Sequence, residues 1–251
     1  MIRALVLIAV MLPGAAASED RRTGYDDMSP ALQALQDDPM NPGAFWVLDG
    51  ERLWSEPAGN TGQSCADCHG SAETSMRGVA ARYPAWDDAT SAPVDLSGRI
   101  ALCQLRHQGV ASASDRSDPD HLAILAYLAH QSREMPIAPD PDPRLAPARA
   151  MGEALFDTRM GQLNLSCAQC HNDNAGGYLA AARIPAAHPT GYPQYRLEWE
   201  TLGSRDRRLA GCMTGVRADP FLPGSIEMVA LELYLKSRAA GLTVETLPIR
   251  P

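Results

Sequence analysis

A mainly α-helical chain made of two tandem repeats is the fold class this sequence predicts, and three observations lead there. A Cys-x-x-Cys-His motif occurs twice, at residues 65–69 and 167–171, an offset of 102. The same offset relates Gly50-Glu51-Arg52-Leu53-Trp54 to Gly152-Glu153-Ala154-Leu155-Phe156, upstream of each motif. Further along, an offset of 109 relates Tyr83-Pro84-Ala85-Trp86 to Tyr192-Pro193-Gln194-Tyr195, Arg99 to Arg208 and Cys103 to Cys212. The difference of seven places a longer connection in the second repeat, between His171 and Tyr192, where Gly176, Gly177, Pro185 and Pro189 favour a loop.

In chain order, the sequence opens with Arg3, nine apolar residues from Ala4 to Leu12, a Pro13-Gly14 break and Ala15-Ala16-Ala17. This is the pattern of an export signal cleaved near Ala17. A bilayer span needs ~20 apolar residues, and no stretch of the chain is that long, so no membrane span is expected. Residues 18–40 are polar and Asp-rich and read as a loosely held arm. Each repeat closes with a helical pattern. Asp118-Pro119 starts the first, with Leu122, Leu125, Ala126, Leu128 and Ala129 on an apolar face. Ser225 caps the second, followed by Met228, Leu231, Leu233 and Leu235. Between the repeats, residues 136–143 hold four prolines in eight positions, which cannot continue a helix and read as a stiff extended linker. With a boundary near Asp140, the chain divides into a signal peptide (1–17), an N-terminal domain (18–140) and a C-terminal domain (141–251), each the size of one small domain.

The balance of 45% hydrophobic and 21% charged residues is that of a globular protein, and a net charge of −8 excludes one built to coat nucleic acid. Aromatics are scarce at 6%, so the core must be filled by aliphatic side chains or by a group that is not a side chain.

Six cysteines in an exported chain first suggest disulfides, but their spacing points elsewhere. In Cys65-Ala66-Asp67-Cys68-His69 and Cys167-Ala168-Gln169-Cys170-His171, two thiols three positions apart can reach the two vinyl groups of one porphyrin. The following histidine then lies under the iron as its proximal ligand. One such motif could be a zinc half-site or a redox pair; two argue for two covalently bound haem c groups. The Gly-x-x-Leu-aromatic segment about ten residues before each motif resembles the first helix of class I cytochromes c. The expected architecture is therefore two tandem cytochrome c-like haem domains from an internal duplication.

Cys103 and Cys212 remain, at equivalent places in the repeats. Each is expected to ligate the iron of its own domain opposite His69 or His171, where a thiolate pushes the potential down. A disulfide joining them is the competing reading, and His107, one turn after Cys103, is a rival ligand there. Met135-Pro136 superficially resembles the Met-Pro site of ordinary cytochromes c but follows the closing helix and has no counterpart. Met213 adjoins Cys212 and would point elsewhere on a helix; Met76 and Met160 read as packing residues. His121, His130 and His188 have no repeat partner and read as surface residues.

Arg208 and Cys212 stand at i and i+4, on one face of a helix. From Arg205 to Arg217 four arginines face one acid, a local +3, against +1 for Asp95 to His107. A sulfur amid arginines favours a thiolate and attracts a small oxyanion, which suits the planar guanidinium fork. Pairing with haem propionates, or a solvated face, is the alternative use of these arginines.

The paired motifs, the two extra cysteines and the run Tyr192-Pro193-x-Tyr195-Arg196-x-x-Trp199 leading to Arg208-x-x-x-Cys212 resemble the SoxA family, dihaem subunits of the SoxAX cytochromes of bacterial sulfur oxidation. The resemblance implies a periplasmic L-cysteine S-thiosulfotransferase subunit. It implies a SoxX-like monohaem partner, a SoxYZ-like sulfur carrier whose cysteine is conjugated to thiosulfate, and a downstream cytochrome that accepts two electrons. Carried over by position, it makes Cys212 both axial ligand and sulfur-bearing catalytic residue and Arg208 the thiosulfate binder. The haem of Cys65, Cys68, His69 and Cys103 becomes the remote centre. A thiosulfate dehydrogenase forming tetrathionate and a plain periplasmic dihaem carrier are the alternatives.

Overall fold

A computed structural model describes residues 21–245 and 248–251. The export signal expected at 1–17 lies outside the described residues. The first repeat contains α1 (Pro30–Asp37), α2 (Pro42–Ser55), α3 (Cys65–His69), α4 (Ala72–Ser75), α5 (Val79–Arg82), the hairpin β1 (Ala85–Asp87) and β2 (Ala92–Val94), α6 (Leu96–Cys103) and α7 (Pro119–His130). The second contains α8 (Ala146–Asp157), α9 (Cys167–His171), the small hairpin β3 (Tyr178–Leu179) and β4 (Ala182–Arg183), then β5 (Gln194–Arg196), β6 (Thr201–Gly203), α10 (Arg205–Gly215), α11 (Ile226–Arg238) and β7 (Ile249–Arg250). The protein is mainly helical with short strands, as expected.

Local chemistry starts these helices where the sequence predicts. α7 begins with Asp118 accepting from the Asp120 and His121 amides and Pro119 at the first position; α11 begins with Ser225 accepting from Met228 N. The two principal helix pairs are α2 on α7 and α8 on α11. Glycine makes both crossings close. A Cβ at Gly50 would run into the Ala123 carbonyl and Tyr127 Cβ, and one at Gly152 into the Ala230 carbonyl and Tyr234 Cβ. The equivalence extends to Tyr83-Pro84 and Tyr192-Pro193, both cis. It extends also to hairpin register: Asp87 faces Ala92 in β1–β2, and Arg196 faces Thr201 in β5–β6.

Each repeat has its own core. Trp54, Leu96, Ile100, Ile124 and Leu128 centre the first; Phe156, Met213, Met228, Leu231 and Leu235 centre the second. The halves also exchange hairpins. Trp86 of β1 packs with Leu145, Ala148 and Leu233 of the second repeat, while its counterpart Tyr195 of β5 packs with Leu122 and Ala126 of the first. This reciprocity resembles the isologous contact of a two-fold dimer.

The proline-rich connection is extended, as its composition demands, but it is stitched down on both sides. Ile137 is buried, its amide donates to Leu242 O, and the Ala138 and Asp140 amides donate to Ala81 O and Arg82 O. The arm is likewise docked, where a loose segment was expected. Gly24 N donates to Thr190 Oγ1, Tyr25 N to Glu245 Oε1, and Ile249 N to Gln36 Oε1, so α1 lies against β7 of the second repeat. Its polar side chains serve as hydrogen-bond partners rather than as a solvated tail. Among the described residues no helix is long and apolar enough to cross a membrane.

Candidate functional site: two cysteine-lined centres

Both Cys-x-x-Cys-His segments fold as a short helix fixed by a capping box. Ser64 accepts from Asp67 N while the Asp67 side chain accepts from Ser64 N; Ser166 and Gln169 repeat the arrangement. In α3 this presents Cys65, Cys68 and His69 to a cavity of about 510 Å³. Cys103 and His107 line the same cavity, with Trp54, Ile100 and Leu128 among its apolar walls. The volume and lining suit a cofactor pocket. Trp54 stands beside His69, with ring centroids 5.8 Å apart, and its Nε1 donates to Gly70 O at 2.9 Å. Burial pushes the Cys65 and Cys103 thiols up; Arg99 and Arg106 pull Cys103 the other way.

No group of three or more His, Cys, Asp or Glu among the described residues could hold a bare metal ion. The donors fit a macrocycle instead: two thiols on one helical turn, an imidazole beside them and a sulfur from another helix, around an apolar void. None of the six cysteines is joined in a disulfide, and the first centre collects Cys65, Cys68 and Cys103 while the second collects Cys167, Cys170 and Cys212. His107 also reaches the first cavity, where Gln104–Gln108 winds as a π-helical turn directly after α6. Met76 packs at this core, Met160 and Met213 at the other. His121 departs from expectation. It is buried, its ring nitrogens each 2.7 Å from the hydroxyls of Ser97 and Ser114, and burial pulls it down to about 4. It sits on the α7 face that packs inward, which its lack of a repeat partner did not reveal. His130 and His188 are half-buried.

In the second centre, burial pushes Cys167 up to about 11, with Cys212 adding to the effect. The longer connection serves this centre: His171 Nδ1 lies 2.7 Å from Pro185 O. A carbonyl only accepts, so Nδ1 carries the proton and Nε2 is left free to ligate. α10 starts on Ser204, whose side chain accepts from Arg207 N, and it contains both Arg208 and Cys212. Tyr192 adjoins both; burial pushes its phenol up, Arg208 pulls it down and Cys212 raises it further.

The arginines sort by partner. Arg205 pairs with the buried Glu232. Arg207 stacks 4.0 Å over Trp199, Arg196 lies 5.0 Å from the same ring, and Arg196 pairs with Glu198 at 2.8 Å. Arg238 covers Phe156 at 4.7 Å and donates to Asn172. Among the described residues no carboxylate pairs with Arg208. The parts played by Arg238 and Pro185 were not legible in the sequence, since each acts through a contact distant in the chain.

Two helical units, each with a thiol pair and histidine on one capped turn beside an apolar core, define a c-type cytochrome with an internal duplication. Residues 49–137 and 151–244 match the family described as SoxA/TsdA, cytochrome c domain. The L-cysteine S-thiosulfotransferase subunit SoxA of Pseudaminobacter salicylatoxidans is 36% identical over 84% of this chain and 73% of that one. The corresponding subunit of Rhodovulum sulfidophilum is 35% identical over 92% of this chain and 81% of that one. The crystal structure of SoxXA from P. pantotrophus superposes with a TM-score of 0.87 at 31% identity, covering 92% of this chain and 87% of that chain. The chain belongs to the SoxA family of cytochromes c, whose domain type carries covalently bound haem c.

Proposed function

We propose that this chain is the dihaem subunit of an L-cysteine S-thiosulfotransferase, acting in the periplasm with a SoxX-like monohaem cytochrome on a SoxYZ-like carrier. Relatives named for that activity, 36% and 35% identical over most of the chain, support the reading. The observation that carries it to a particular site is Arg208, one helical turn before Cys212 and without a carboxylate partner.

Cys65, Cys68, His69 and Cys103 would hold one haem, and Cys167, Cys170, His171 and Cys212 would hold the other. When bound, the haems supply one-electron acceptance. The chain's own residues do the rest. The Pro185 carbonyl holds the His171 ring in one tautomer. Arg208 takes the sulfonate oxygens of thiosulfate in its guanidinium fork, beside the Cys212 sulfur. In the net reaction an S–S bond forms between the outer sulfur of thiosulfate and the carrier cysteine, and the thiol S–H bond breaks. One proton and two electrons leave, the electrons passing to a downstream cytochrome.

The test is Cys212→Ala against Cys103→Ala in the assembled complex with carrier present. Cys212→Ala should lower thiosulfate-dependent cytochrome reduction by about 10³-fold or more, as loss of a residue acting at the reacting sulfur does. Cys103→Ala should retain most of it. Intact mass should show two haem additions in both variants and loss of the export signal. Full turnover by Cys212→Ala overturns the proposal, and tetrathionate formed without carrier would move the chain to the dehydrogenase class.

A further inference from the structure

The two cysteine helices carry their arginine at the same place, Arg99 four residues before Cys103 and Arg208 four before Cys212. What differs is the strand that leads to them. The last residue of β1 is Asp87 and the last residue of β5 is Arg196; the shared hairpin register makes them equivalent, and each precedes its arginine by twelve residues.

Asp87 is 4% exposed and fully engaged. Its carboxylate is 2.8 Å from Arg99 Nη1 and accepts from Arg106 at 2.9 and 3.2 Å. It also accepts from the Thr90 amide and hydroxyl at 2.9 and 2.7 Å. These donors, Arg106 foremost, hold it far below the usual carboxylate range, so it is a permanent anion. In the second half the pair Asp87/Thr90 is replaced by Arg196/Trp199. The Arg196 guanidinium lies against the Trp199 ring and pairs with Glu198. Both oxygens of Glu198 are spoken for, one by Arg196 and one by Trp199 Nε1 at 3.1 Å. Nothing buried and anionic occupies the place of Asp87; the exposed Glu198 lies within electrostatic reach of Arg208, but among the described residues no carboxylate forms an ion pair with it.

We propose that this strand-end position decides which half of the molecule accepts a small oxyanion. Asp87 is a built-in anion that closes the fork of Arg99, while Arg196 stacked on Trp199 leaves that of Arg208 open. This deepens the reading that thiosulfate binds beside Cys212, and it assigns specificity-determining roles to Asp87 and Arg196. An external dianion competing at Arg99 would have to displace a carboxylate already held by two guanidiniums. At Arg208 no carboxylate paired with the guanidinium among the described residues has to be displaced.

The experiment is equilibrium dialysis of sulfate, an oxyanion with no reducing sulfur, against the full-chain holoprotein. The wild type should bind one sulfate, and Arg208→Gln should remove it. Arg196→Asp, which installs a carboxylate beside Arg208, should weaken that site about tenfold or more, the scale of one charge-assisted contact. Asp87→Asn should add a second sulfate, which Asp87→Asn/Arg99→Gln removes again. Haem absorbance reports whether each variant is folded; if Asp87→Asn is not, Arg196→Asp decides alone. A wild type that binds no sulfate, a folded Asp87→Asn that binds only one, or an Arg196→Asp with unchanged affinity overturns the proposal. The outcomes separate from turnover: failed conjugation with the expected sulfate shifts removes the transferase reading and leaves this one standing. Full conjugation with unmoved sulfate binding does the reverse.

Discussion

α6 and α10 begin alike and end differently. Each is capped by an oxygen side chain, Asp95 or Ser204, and each places an arginine four residues before its cysteine. But α6 stops at Cys103 and passes into a π-helical turn, with its arginine locked on Asp87, while α10 runs three residues past Cys212 and leaves Arg208 without a carboxylate. The frames around them, α2 on α7 and α8 on α11, are the same down to the glycine at each crossing. The comparison teaches where a duplicated domain has room to diverge. A close-packed crossing tolerates little change, because every added atom must displace another. Charges at a strand end can be reversed and a connecting loop lengthened with less repacking, and those are the places where the two halves differ.

The comparison also turns on how tightly the halves are joined. Arg116 donates to Asp206 Oδ2 at 2.7 Å and to both oxygens of Asp95, tying the first turn of α10 to the cap of α6. All three side chains are largely buried. Arg116→Met should therefore cost about 3–5 kcal/mol in urea unfolding, since it strands two buried carboxylates. A loss below about 1 kcal/mol, the worth of a surface pair, would mean that the halves are independent beads. Next in size, Gly50→Leu and Gly152→Leu should each lower stability by about 1–3 kcal/mol in thermal unfolding, by overpacking a helix crossing. Similar losses sharpen the equivalence; tolerance at one glycine alone would break it.

The last prediction concerns a feature with no counterpart in the first half. Lys236 of α11, the sole lysine of the chain, is buried and donates to Ala80 O at 3.0 Å. Burial, with Arg205 nearby, pulls it from 10.5 down to about 7. Between those values the unfolded chain holds the proton that the folded chain has released, so stability rises with pH across about 7 to 10.5. The contribution is complete above the upper value and lost as pH falls through the lower. Subtracting the Lys236→Met profile from the wild-type urea midpoints at pH 7 and pH 10 should expose that rise; a flat difference would place the ammonium in water.

Much of this was legible because it is local. The capped starts at Asp118 and Ser225, the paired Cys-x-x-Cys-His motifs and the shared i, i+4 arginine and cysteine depend on neighbours within a turn or two. The buried place of His121 and the docking of the 21–37 arm were misread because burial is decided by what arrives from elsewhere. The Pro185 carbonyl on His171 and the Asp87 lock on Arg99 were invisible for the same reason: their partners are 14 and 12 residues off, across a loop or a strand.

By itself the order of residues determined that there are two repeats, where their helices start, and which thiols and imidazoles are offered together, because helix periodicity and capping act over a few positions. Only the tertiary arrangement decided that the repeats trade hairpins, that the proline segment is clamped rather than free, and that one arginine fork is filled while the other stays open. Those outcomes rest on close approach between distant segments, and electrostatic pairing and packing depend on distance in space, not along the chain.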